Sequence, residues 1–227
     1  MSGPTFGAGS GIKVHNATWR VRAEAASPAP PIDALTIAEL PPTKRSQALT
    51  RWIAVTLISF FTLIDLFGAQ ALLPTLVEAY QVSPAVMGVA VNASTIGMAT
   101  AGLVVAALSR RLDRKRGIWL SLLILAVPTL LLAFTENIVL FGLLRVIQGL
   151  CMATAFTLTL TYLSEECSIT AAAGAMAAYI TGNVASNLFG RLVAAGIADG
   201  LGVELAFIAF AALNLAGAGL AYWYIGS

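Results

Sequence analysis

The chain has 227 residues, 58% of them apolar and only 11% charged, with a mean hydropathy of +0.85. Soluble domains carry about 25% charged residues, so this balance excludes an ordinary soluble fold and points to an all-α integral membrane protein. The net charge of +2 says little by itself, and the placement of the charges says more.

Residues 1–48 are rich in Gly, Ala, Ser and Pro and hold no apolar core of useful length, so they read as a disordered cytoplasmic tail rather than a signal peptide. The only histidine, His15, lies there, which leaves no His-based metal site. Six long apolar runs follow, at roughly 52–76, 84–108, 117–135, 138–163, 171–196 and 201–225. Each is long enough for a hydrocarbon core of about 30 Å, which takes roughly 20 helical residues. The connections are short, so successive helices run antiparallel in a six-transmembrane-helix bundle occupying 49–227. Arg110, Arg111, Arg114, Lys115 and Arg116 cluster between the second and third runs, while the opposite loops carry Glu78, Glu136 and Asp199 and no Lys or Arg. Basic loops stay in the cytoplasm, so both termini are expected there. Cys151 falls within an apolar run and Cys167 in a short loop, and no disulfide is expected.

Two charges lie deep in these runs. Asp65 is thirteen residues past Trp52, about 20 Å in, and Arg145 is seven past Ile138, about 10 Å in from the other face. The helices run in opposite directions, so the two depths agree to within about one side-chain length, and the simplest expectation is that Arg145 lines a polar cavity with Asp65 as its nearest possible counter-ion. Arg145, Gln148, Gly149, Met152, Phe156 and Thr159 form one stripe of the fourth run. On the fifth run, Gly174, Ala178, Gly182, Ser186 and Gly190 step by four, a small-residue ladder that permits close helix approach and is expected to serve association with a partner. Beside it run Tyr179, Asn183, Asn187 and Arg191, whose asparagines suit either cavity lining or interhelical hydrogen bonding.

These residues carry a resemblance. "RVIQG" at Arg145–Gly149 resembles the R-x-x-Q-G motif of the fourth helix of the major facilitator superfamily. "AQALLPTL" at Ala69–Leu76, "TYLSEE" at Thr161–Glu166 and "YITGNVASNLFGRL" at Tyr179–Leu192 resemble helix ends and the fifth helix of its sugar-efflux and drug-efflux-like branch. The likeness covers roughly 52–225. The family's loop signature G-x-x-x-D-R-x-G-R-[KR] falls on Ala106–Lys115, where Arg114 and Lys115 match its basic end. Arg110 stands at its acid and Asp113 at its second glycine, so the cytoplasmic latch made by that acid is missing unless Asp113 replaces it. The antiporter signature of the fifth helix keeps Gly182 and Gly190 but has no Gly-Pro.

The resemblance implies the N-terminal half of such a transporter, built from two inverted three-helix repeats. It implies alternating access for a small-molecule substrate across a bacterial inner membrane, in the direction of efflux and coupled to protons, with Asp65 as the protonation candidate, Arg145 as its partner or a ligand for a substrate anion, and Gln148, Asn183 and Asn187 as further candidates along the pathway. The sequence ends just after the sixth run, so a separate C-terminal half or a homodimer is expected to complete it. The alternatives are a non-transporting membrane scaffold and a truncated inactive product. No catalytic Ser/His or His/Asp set and no H-E-x-x-H is present, so no enzyme, cofactor or metal is expected, and no nucleic-acid partner.

Overall fold

The computed structural model describes residues 42–108, 112–166 and 169–225. They form helices α1 (Pro42–Ala71), α2 (Leu73–Tyr80), α3 (Pro84–Leu108), α4 (Arg114–Leu132), α5 (Ile138–Glu166), α6 (Ile169–Leu201) and α7 (Val203–Ile225). α1 starts at Pro42, inside the stretch expected to be tail, and residues 1–41, with His15, lie outside the described residues, as do Arg110 and Cys167.

The first expected helix is broken in two at Leu72 by Pro74, which has no N–H to donate and crowds the carbonyl of Gln70. The ladder resumes at once, with Leu76 N–H donating to Leu72 O at 2.9 Å, so α2 continues α1 toward the far face. α4 begins three residues before the apolar run because Asp113 caps it, accepting the backbone N–H of Arg116 at 3.2 Å. Asn137 caps α5 through the N–H groups of Val139 and Leu140. Between α6 and α7 the chain reverses at Gly202, whose φ of 86° suits glycine.

α1 packs on α6 and α7, α5 packs on α3 and α4, and α4 meets α7. Exchanging α1, α3 and α4 for α5, α6 and α7 leaves this pattern unchanged. An odd number of antiparallel helices per set makes the second set start on the opposite side, so the two are inverted repeats. Among the described residues, five helices are long and apolar enough to cross a membrane: Leu49–Ala71 of α1, Pro84–Val105, Arg114–Leu132, Ile138–Glu165 and Val203–Ile225. α6, at 33 residues, has the length but is not among them, and it carries Asn183, Asn187 and Arg191 along its middle. Trp119 and Tyr222 stack edge to face and Trp223 is 83% exposed, an aromatic girdle at the end that carries the basic loop. Each central helix carries two apolar clusters with a polar gap between them. Ile64, Phe141, Phe207 and Phe210 fill one end, and Ile58, Leu122, Met152 and Leu158 the other.

Candidate functional site

The gap between the clusters is occupied by Asp65 of α1, Thr129 of α4, Arg145 and Gln148 of α5 and Asn214 of α7, all with no exposed surface. Arg145 and Asp65 do not pair directly: among the described residues the ion pairs are Arg114–Glu165 and Arg116–Asp113. Gln148 stands between them. It accepts from Arg145 Nη1 at 2.7 Å and donates through Nε2 to Asp65 Oδ2 at 3.2 Å and Thr129 Oγ1 at 2.7 Å. The expected counter-charge is therefore reached through a bridging side chain rather than by contact. A carboxamide, with both a donor and an acceptor, joins a group that only donates to one that only accepts.

The rest of the guanidinium is satisfied by α3. Arg145 Nε donates to the backbone carbonyl of Val91 at 3.0 Å and Nη2 to Ser94 Oγ at 3.2 Å. This is possible because α3 and α5 nearly touch. A Cβ on Gly149 would stand 1.9 Å from Ser94 O, and one on Gly97 would stand 2.0 Å from Val146 O. The glycine that follows the arginine by four residues thus sets the distance at which a helix carbonyl can serve it.

At the other end of the relay, Asp65 Oδ2 is approached by three donors: Thr129 Oγ1 at 3.0 Å, Gln148 Nε2 and Asn214 Nδ2, the last at 3.2 Å. Thr129 also lies 2.8 Å from Leu125 O, so its single proton serves one of two acceptors. Asp65 Oδ1 and Asn214 Oδ1 are buried without a partner. Sequence reading missed Thr129, Asn214 and Ser94. Asn214 had a signal, being the single carboxamide in the apolar run of α7.

The small-residue ladder of α6 is spent inside the chain, which corrects its expected use for a partner. All three of its described glycines face α1. Gly174 lies against the Trp52 ring, a Cβ on Gly182 would stand 2.1 Å from Thr56 O, and one on Gly190 would stand 2.7 Å from Ile64 O. Ser186, fully buried, bonds the carbonyl of Asn183. Thr56 and Ser59 of α1 complete the contact by donating to Ala178 O at 3.0 Å and Tyr179 O at 2.7 Å. The neighbouring stripe separates into parts. Tyr179 is buried against Phe156 with its hydroxyl unpartnered. Asn183 is half-buried and lines a hollow of about 440 Å³ with Leu63, Phe67, Met98 and Phe156. Asn187 accepts from Arg191 Nε at 3.0 Å. Arg145, expected to line the cavity, is walled off from it, and so is Gln148.

In the loop region, Arg114 forms a two-point ion pair with Glu165 at the end of α5, at 2.8 and 3.2 Å. Asp113 is occupied as the cap of α4 and by Arg116, so it is not held out toward another domain, and Lys115 is exposed. At the opposite end Tyr80 donates to Thr135 O, and burial with the Glu136 and Glu204 carboxylates nearby pushes its phenol up to about 12.

A buried acid–amide–arginine relay at the seam of two inverted three-helix repeats, inside an apolar bundle, defines a polytopic membrane protein with an intramembrane polar centre. The Major Facilitator Superfamily profile matches residues 55–227, and the chain belongs to that family. It is 30% identical over 140 residues to "Uncharacterized transporter BU588" of Buchnera aphidicola, which covers 62% of this chain and 34% of that protein. It is 28% identical over 156 residues to "Uncharacterized MFS-type transporter YybF" of Bacillus subtilis, covering 69% and 39%. With "Inner membrane transport protein YnfM" of Escherichia coli it shares 29% over 160 residues, covering 70% and 38%. The chain therefore matches well under half the length of these relatives.

Proposed function

We propose that the chain is the N-terminal six-helix unit of a proton-coupled secondary transporter, which exports a small solute across a bacterial inner membrane by alternating access. A second six-helix unit, supplied as a C-terminal half or as a second copy, faces it across the side that carries Asn183, Asn187 and Arg191. Polar groups exposed there are poorly suited to lipid. The relatives' names and the inner-membrane location of one of them support the transport reading.

One observation carries the proposal: the Asp65 carboxylate touches both inverted repeats and has one oxygen open. A proton arriving at Oδ1 displaces no existing donor. It removes the charge that Gln148 and Asn214 are pointed at, and so loosens the contact between the repeats. Inside-out vesicles holding the assembled protein, energised and loaded with a pH dye, test this against a panel of small solutes. At least one solute is expected to discharge the gradient with wild type and not with Asp65→Asn. Equal discharge with both removes the proton role, and no discharge by any solute removes transport. The orientation is checked separately: Ser83→Cys should label from outside, and Lys115→Cys only after permeabilisation.

A further inference from the structure

Two neighbouring hollows share Asn183. The first, about 440 Å³, is walled by Leu63, Phe67, Met98 and Phe156, with Thr157 and Asn183 as its polar points. The second, about 390 Å³, follows α6 from Ile180 past Asn187 to Arg191. The first has the size of pockets that hold drug-sized ligands. The Asn183 carboxamide makes no side-chain hydrogen bond among the described residues, which leaves a donor and an acceptor free at the junction. Arg191 is exposed and held by two neutral oxygens, Asn187 Oδ1 at 3.0 Å and Gln70 Oε1 at 3.5 Å. It forms no ion pair among the described residues, so its charge is aimed but not neutralised. Its side chain folds back to Asn187, one helical turn or about 6 Å from Asn183.

We propose that these hollows form one binding site for an amphipathic organic anion, its apolar body in the first and its anionic group on Arg191. The site supplies the substrate class for the transport reading above and rests on it for that role. Charge complementarity selects the anion. A cation would meet Arg191 with no carboxylate beside it. A sugar would press its hydroxyls on Leu63, Phe67, Met98 and Phe156, where each unpaired group is penalised. Asp65 and Arg145 are fully buried and line neither hollow, so the ligand's charge is read apart from the relay.

The assembled protein of the vesicle test, in nanodiscs of zwitterionic phosphatidylcholine, is tested by equilibrium dialysis with naphthoate, naphthamide and naphthylmethylammonium, each corrected for empty discs. Naphthoate is expected to bind about tenfold more tightly than the amide, the effect of one charge-assisted hydrogen bond, with the ammonium weakest. Arg191→Gln should erase that preference, and Arg191→Lys should keep it. Asn183→Leu should weaken naphthoate and naphthamide alike, and Lys115→Gln, at the other end of the bundle, should change nothing. Absence of naphthoate binding, preference for the ammonium, or a preference that survives Arg191→Gln overturns the site. Loss of naphthoate when phosphatidylglycerol is added at equal charge shows that lipid is the occupant and overturns it too. Anion binding without solute-driven proton movement removes the transport reading and keeps the site, whereas proton movement without anion binding does the reverse.

Discussion

The α3–α5 and α1–α6 pairs occupy equivalent places in the two repeats and solve the same packing problem with different chemistry. In both, glycines bring one helix against carbonyls of the other: Gly149 and Gly97 between α5 and α3, Gly182 and Gly190 of α6 against α1. In both, the first helix of a repeat donates to backbone oxygens of its partner. α1 does so with the hydroxyls of Thr56 and Ser59, and α5 with the guanidinium of Arg145. A neutral hydroxyl therefore suffices to hold this geometry. The charge on α5 is not required for packing and must be balanced elsewhere, through Gln148 to Asp65. Under the proposed function, that excess is the feature a transport cycle would use.

The comparison breaks most decisively at the charges. Arg145→Met leaves Asp65 buried without its opposite charge and should cost about 3–5 kcal/mol in unfolding measured in one detergent. Asp65→Asn should cost a comparable amount, and the double variant should recover most of the loss, since a matched neutral pair is often tolerated. Coupling below about 0.5 kcal/mol would mean that Gln148 transmits nothing between them.

The glycines come next. Gly149→Ala and Gly182→Ala each drive a methyl into a backbone oxygen, and overpacking of this kind costs about 1–3 kcal/mol. Gly196→Ala, with nothing within 4 Å, serves as the control. Gly149→Ala should be the more harmful of the two, because moving α3 also draws the Val91 carbonyl away from Arg145. In the Asp65→Asn, Arg145→Met background that excess should vanish and the two glycines should become equivalent.

Much of this was legible from residue types and spacing. Arg145, Gln148 and Gly149 at i, i+3 and i+4 marked one helix face, and an acid at matching depth suggested the counter-charge. What spacing cannot show is which groups a side chain meets. Val91 contributes a backbone carbonyl, invisible to any reading of side chains. Thr129 follows Pro128 in an apolar run and looks like an ordinary filler until α4 is docked on α1. The ladder on α6 announced close approach but not its partner, and α1 took the place expected for another chain. Stripe membership also misled: Gln148 and Phe156 share a face by angle, yet one lies in the sealed relay and the other on the open hollow.

The smallest effect sharpens the comparison furthest. Ser59 and Ser94 are both fully buried serines at a glycine-tight crossing. Ser59 donates to Tyr179 O, a carbonyl inside α6 that also has its own intrahelical N–H. Deleting that hydroxyl leaves the carbonyl its intrahelical partner, so Ser59→Ala should cost about 0.5–1.5 kcal/mol, the net value of an ordinary hydrogen bond. Ser94 accepts from Arg145 Nη2, and its own proton goes to Val91 O at a marginal 3.4 Å. Deleting it strands a buried guanidinium N–H, so Ser94→Ala should cost more, about 1–3 kcal/mol. Adding Arg145→Met should bring the additional cost of Ser94→Ala down to the level of Ser59→Ala. If the two serines cost the same in wild type, the guanidinium is satisfied by Val91 and Gln148 alone, and the chemical distinction between the two crossings narrows to the relay itself.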